Sequence, residues 1–217
     1  MATWRQINGA LKQVSVGSAG LIWGVNSADQ IFQYTGENAW TQISGALKNV
    51  SVAADGTVFG VNSANQIWRY LGNNAWRNIA GALIEISVGS AGEIWGVNAG
   101  NNIYRYTGEN AWTQIPGGLK WVSVGVDGTV FGVNSANNIY RYLGNNAWRQ
   151  IAGALTQISV GSASQIWGVN AAGNIYRYTG ENAWSQVSGA LTNVSVAADG
   201  TVFGVNAAGQ IWRLLSL

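Results

Sequence analysis

Apolar residues along this chain gather in runs of four to six, rich in Val, Ile, Trp, Tyr and Thr, with clusters of Gly, Asn, Asp, Ser and Ala between them. Runs of that length and composition predict β-strands rather than helices. The first run reads Val-Ser-Val or Ile-Ser-Val. The second reads Ile-Trp-Gly-Val-Asn or Val-Phe-Gly-Val-Asn, the third Ile-aromatic-Arg-Tyr, and the fourth opens on a tryptophan. That residue recurs at Trp4, Trp40, Trp76, Trp112, Trp148 and Trp184, a constant spacing of 36 with no insertion. A fixed period marks a repeat architecture. Four short strands per 36 residues, six times over, predict an all-β fold: a six-bladed β-propeller with four antiparallel strands per blade, one domain over residues 1–217.

The turns and ends fit that scheme. Asp-Gly-Thr at Asp55, Asp127 and Asp199 predicts a type I′ hairpin turn, since Asp-Gly tolerates positive φ. The chain opens on an outermost strand, Thr-Trp-Arg-Gln-Ile, and ends on a third strand, Ile-Trp-Arg-Leu-Leu. The last blade therefore needs the N-terminus as its outer strand, with Thr3 to Ile7 expected to pair with Gln210 to Leu214; such closure removes a free sheet edge. A second period of 72 overlies the first: odd units carry Trp23, Trp95 and Trp167 where even units carry Phe59, Phe131 and Phe203.

Composition narrows the chemistry. Hydrophobic residues make up 47% and charged residues 9%, and 11 basic against 9 acidic side chains are scattered without a basic track, so nucleic acid is not an expected partner. There is no cysteine and no histidine, which removes disulfides, thiolate and imidazole metal sites, and Cys- or His-based catalysis. The start, MATWRQINGALK, has no apolar segment after a basic one, and no run approaches a membrane span. The expectation is a cytoplasmic protein without membrane insertion, reaching a cell surface only by unconventional export. No cofactor is expected. The departures from the repeat (Gln33, Trp121 and Pro116) introduce no acid–base or nucleophile pair, so catalysis is not expected either. Lone carboxylates at Asp55, Asp127 and Asp199 read as hairpin formers rather than metal ligands.

The pattern W-x-Q-I-x-G-A-L-x-x-V-S-V, followed by D-G-T-V-F-G-V-N and N-I-Y-R-Y, resembles the tectonin repeat over all six units. The resemblance implies a propeller lectin of fungal defence. It would bind O-methylated glycans, notably methylated mannose and fucose, on bacterial and nematode surfaces, lipopolysaccharide included. It also implies a homo-oligomer, with a tetramer as the expected form.

Sugar pockets combine an aromatic platform with amide or guanidinium donors, and three recurring positions supply them. The six unit-opening tryptophans are platforms, although filling the wedge between blades is the leading role for so large a ring. Arg69, Arg105, Arg141, Arg177 and Arg213 offer forks of donors, against the alternative that their stems cover apolar surface. Asn26, Asn62, Asn98, Asn134, Asn170 and Asn206 close Gly-Val-Asn, where an asparagine often bonds its own turn. A groove between that turn and the Gly-Ala-Leu loop of the neighbouring unit is the expected place for each site. A propeller scaffold for protein partners, and an artificially symmetrised ring, are the alternative readings.

Overall fold

The computed structural model describes every residue except 37 and 109. The described residues form twenty-four strands in six four-stranded antiparallel sheets, without helices. Blades 1 to 5 span residues 13–46, 49–82, 85–115, 121–154 and 157–190; blade 6 combines residues 193–216 with 3–10. The expected closure is present: Trp4 pairs with Leu214, Arg5 with Arg213, Gln6 with Trp212 and Ile7 with Ile211. Each propeller blade is the sheet its sequence unit anticipates.

Alternation along each strand divides apolar side chains between the blade's two faces, so the core lies between blades rather than within one. The cluster at the first seam joins Trp23, Val25, Ile31 and Ile43 of blade 1 and Leu47 of the connecting loop to Val50, Val52 and Val58 of blade 2, all buried. The same arrangement recurs around the ring. Around the central channel the Ser of each Val-Ser-Val accepts a backbone N–H from the next blade. Ser15 takes that of Val52, and the chain of six ends with Ser195 and Val16, at 2.9–3.0 Å throughout. A second ring, Gln13, Asn49, Glu85, Trp121, Gln157 and Asn193, also lines the channel. Gln13 accepts from the Val50 N–H and donates to its carbonyl, at 3.1 and 2.8 Å. Trp121 replaces the amide by donating Nε1–H to the Ile158 carbonyl at 2.9 Å.

The turns correct one expectation. Asp-Gly-Thr does not adopt type I′ geometry: of its residues only Gly56, Gly128 and Gly200 have positive φ. The loop spans three residues, and the Gly56 N–H bonds back to the Ala53 carbonyl at 3.1 Å while Ala53 N–H reaches Thr57 at 2.9 Å. That is a type I turn closed by a left-handed glycine. The two consecutive positive φ values of type I′ occur instead after the third strand, at Asn73–Asn74 (49° and 60°), Asn145–Asn146 (49° and 61°) and Glu181–Asn182 (47° and 70°). A two-residue loop between Gly72 and Ala75, which pair directly, demands that conformation, whereas the longer Asp-Gly loop does not. In blades 1 and 3 residue 37 or 109 of this turn lies outside the described residues. Pro116 shortens the outer strand of blade 3, which ends at Ile115 instead of running on to an Ala; proline has no N–H for the ladder.

Candidate functional site

Three similar grooves open at the seams where an odd blade meets the next even one. The first is lined by Ile31, Gly45, Ala46 and Leu47 from one side and by Asn62, Trp68 and Trp76 from the other. The second pairs Ile103, Gly117, Gly118 and Leu119 with Asn134, Tyr140 and Trp148. The third pairs Ile175, Gly189, Ala190 and Leu191 with Asn206, Trp212 and Trp4. Their volumes are about 300, 250 and 280 Å³, at the small end for ligand pockets and suited to a monosaccharide. No charged side chain lines any of them.

Glycine makes the groove. Gly45 bulges the outer strand at a φ of +120°, and a Cβ there would stand 3.3 Å from both Ile31 Cδ1 and Trp76 Nε1. Gly9, Gly81, Gly117, Gly153 and Gly189 meet the matching Ile and Trp at 3.1–3.5 Å, so the same crevice frame exists at all six seams. The tryptophan that closes each frame is fixed twice. Its Nε1–H donates to a carbonyl of the preceding blade: Trp76 to Ser44 at 2.7 Å, Trp112 to Ala80 at 2.8 Å, Trp148 to Pro116 at 2.8 Å. Trp4, Trp40 and Trp184 do the same with Ser188, Asn8 and Ala152. Its ring also packs on the cross-strand tyrosine in blades 1 to 5, as Trp76 does on Tyr70 at 4.9 Å and Trp112 on Tyr106 at 5.0 Å, whereas Trp4 has Leu214 opposite it. The indole N–H is thus spent on the protein, and only the ring surface faces a ligand.

The asparagines serve the turn first. Asn62 Oδ1 accepts N–H bonds from Ala64 and Gln66 at 3.1 and 2.9 Å, and all six asparagines make the equivalent pair. Nδ2 of Asn26, Asn62 and Asn206 donates onward to Gln30, Gln66 and Gln210. At Asn98, Asn134 and Asn170 that neighbour is an Asn one methylene shorter, and no such bond forms among the described residues. Asn134 therefore brings a free amide donor to its groove.

The arginines do not join the tryptophans and asparagines. The third-strand position lies on the same blade face as the groove isoleucine but two residues further along, roughly 6–7 Å toward the opposite rim. It is Gln33, Arg105 or Arg177 at the three grooves, and none of these belongs to the lining. Arg105 instead pairs with Glu93 at 2.7 Å. Arg69, Arg141 and Arg213 sit 5.8–5.9 Å from the rings of Phe59, Phe131 and Phe203. The groove residues that sequence reasoning passed over are the aromatics just before the arginine, Trp68, Tyr140 and Trp212. The period of two along a strand was the available signal: it places that aromatic and the arginine on opposite faces.

A closed ring of six like blades with a repeated crevice at the seams defines a repeat β-propeller. The chain belongs to the tectonin domain family, whose model matches residues 1–146 and, again, 70–216. No curated protein matches it in sequence. Among solved structures it is similar to a gluconolactonase from Xanthomonas campestris (TM-score 0.77, 9% identity, 98% of this chain and 89% of that one). It is also similar to a catalytically inactive histidine-to-alanine form of virginiamycin B lyase from Staphylococcus aureus with quinupristin (TM-score 0.70, 14% identity, all of both chains). A third is YCF48 from Cyanidioschyzon merolae (TM-score 0.64, 13% identity, 97% and 98%). At such identities the likeness concerns the propeller fold alone.

Proposed function

We propose that this tectonin is a multivalent lectin whose seam grooves take O-methylated sugars, such as methylated mannose or fucose, on bacterial and nematode surfaces. The observation that carries the reading is the repeated uncharged crevice of Ile, Gly, Leu, Asn and Trp. A sugar ring stacks its apolar C–H face on the tryptophan. A methyl ether fills the niche beside Ile31 and Leu47, a burial that contributes about 0.8 kcal/mol. A single such site is weak, and the ring compensates by number: several sites engaging one surface raise the apparent affinity by a factor on the order of 10²–10⁴. Assembly into a tetramer multiplies the sites again and suits a role in fungal defence. Binding, rather than catalysis, is the use to which six copies of one crevice lend themselves.

A glycan array carrying methylated and unmethylated mannose and fucose tests the ligand class; absence of any methyl-dependent signal overturns it. Ala46→Phe tests the location. Ala46 is exposed on the groove lip, so a phenyl ring there fills the crevice without disturbing the core. The variant should bind one sugar fewer per chain at unchanged thermal stability.

A further inference from the structure

We infer that the three even blades carry a second kind of site, in which the arginine pairs Arg69–Arg77, Arg141–Arg149 and Arg213–Arg5 hold an oxyanion, a phosphate or sulfate ester on the ligand. The inference rests on these pairs and not on the seam grooves. Six of the eight arginines in the chain are spent on them. In each pair the two residues are direct cross-strand partners on the third and outer strands, and so share one blade face. Like charges placed directly opposite destabilise a sheet, yet the sequence places them so three times, 72 residues apart. Odd blades avoid the arrangement: their partners are Gln33 with Thr41, Arg105 with Thr113, and Arg177 with Ser185.

The pair geometry suits an anion. The inner arginine is half-buried and its guanidinium carbon stands 5.8–5.9 Å from a phenyl ring, which fixes its direction. The outer one, Arg77, Arg149 or Arg5, is exposed and free to close over a ligand. Among the described residues none of the six makes an ion pair; the ion pairs are Lys12–Asp29 and Arg105–Glu93. Asp199 feels the charge of Arg213 but does not pair with it. Two planar forks on neighbouring strands, once the exposed one swings over, match the oxygens of a phosphate or sulfate. Two residues on from the inner arginine, at the bulge that ends the third strand, stand the exposed Leu71, Leu143 and Leu215, where odd blades have Thr35, Thr107 and Thr179. An apolar neighbour favours an ester over the bare ion.

The test follows the arginine Nε signals by NMR as the full chain is titrated, at constant ionic strength, with sodium phosphate, sodium sulfate, glucose 1-phosphate and sodium chloride. The six paired arginines should shift with the oxyanions and not with chloride, while Arg105 and Arg177 stay in place. Glucose 1-phosphate should bind several-fold more tightly than phosphate if the leucine takes part; equal affinity removes the ester from the inference and leaves the oxyanion. The combined variant Arg5→Thr, Arg77→Thr and Arg149→Thr copies the residue type of odd blades, so it folds. It should weaken oxyanion binding at least tenfold while methylated-sugar binding at the grooves persists. Chloride acting as well as phosphate overturns the inference, as does a variant that binds phosphate like its parent. A variant whose only change is the mass of the assembly also overturns it, and makes this face a subunit contact.

Discussion

The seams that lead from an odd blade to an even one and those that lead from even to odd share a mouth and differ below it. Odd-to-even seams are closed by close backbone approach. A Cβ on Gly17, Gly89 or Gly161 would stand 2.3–2.5 Å from backbone of the next blade, and Trp23 and Trp95 fill the wedge beneath, meeting Trp76 and Trp148 edge-on at 6.3 and 6.4 Å. Even-to-odd seams are closed by a carboxylate. Asp55, Asp127 and Asp199 accept the N–H of Ala91, Ala163 and Ala19 across the seam at 2.7–2.9 Å, and a smaller Phe leaves room for the arginine pair. Burial pushes these carboxyls up, but N–H donors, Thr57 and Ala91 in the case of Asp55, outweigh it and hold them below their ordinary value. One backbone thus carries two closures and two chemistries, because the outer frame of Trp, Ile and Gly leaves the inner positions free to vary.

The largest expected effect separates the two seams by aromatic packing. Trp76→Ala loses contacts to Tyr70 and Trp23 and the bond to Ser44, and should cost about 4 kcal/mol. Trp112→Ala loses its stacking on Tyr106 but has Phe59 where the other seam has Trp23, and should cost about 1 kcal/mol less. Urea denaturation of both variants decides; equal losses would show that the second-strand Trp adds nothing. Next comes the closure itself. Gly17→Ala forces a methyl into the Ala53 carbonyl and should cost about 3 kcal/mol, whereas Asp55→Ala removes one clamp and should cost about 1–2 kcal/mol. The Asp55 loss should also vanish toward low pH: its folded pKa is depressed, so its contribution is present above the ordinary value and disappears as pH falls through the folded one.

At the hub the expected sign reverses. Glu85 is buried, and that burial raises its pKa well above the ordinary 4.5 against the opposing bond from Val122 N–H. A raised folded pKa means that the protonated carboxyl stabilises the fold fully below the ordinary value, and that this stability is lost as pH rises through the folded value. Gln13 and Gln157 occupy the same ring position and each bonds both N–H and carbonyl of the next blade. Glu85→Gln should therefore stabilise by about 2 kcal/mol at pH 7 and by almost nothing at pH 4, measured by thermal unfolding across that range. The smallest effect lies in the outer turns. Glu181 holds a φ of 47° where even blades have Asn73 and Asn145, so Glu181→Asn should raise stability by about 0.5–1 kcal/mol. A neutral or negative result would mean that the turn is not under strain.

Much of this was readable from the chain because it is local. The 36-residue period gives strand number and blade number, and the outer-strand character of Thr3–Ile7 gives the closure. Gly-Val-Asn and Gly-Ala-Leu fall at the same rim because alternate connections of an antiparallel blade return to one side. The separation of arginine from tryptophan was present in the alternation of the third strand, where Trp68 and Arg69 must diverge. The location of the type I′ turn was not, because Asp-Gly and Asn-Asn both tolerate positive φ, and the pairing of Gly72 with Ala75 decides between them.

By itself the sequence determined which residues become strands, how many sheets form and how the ring shuts, since hydrophobic period and turn chemistry act over a few residues. Only the tertiary structure decided that Ile31 faces Trp76, that the indole N–H of each unit-opening tryptophan is consumed by the preceding blade, and that Gly17 must stay without a side chain. These contacts join residues 30 or more apart, and they depend on how far one twisted sheet is rotated against the next. That rotation is set jointly by all six seams of a closed ring, and no single stretch of chain encodes it.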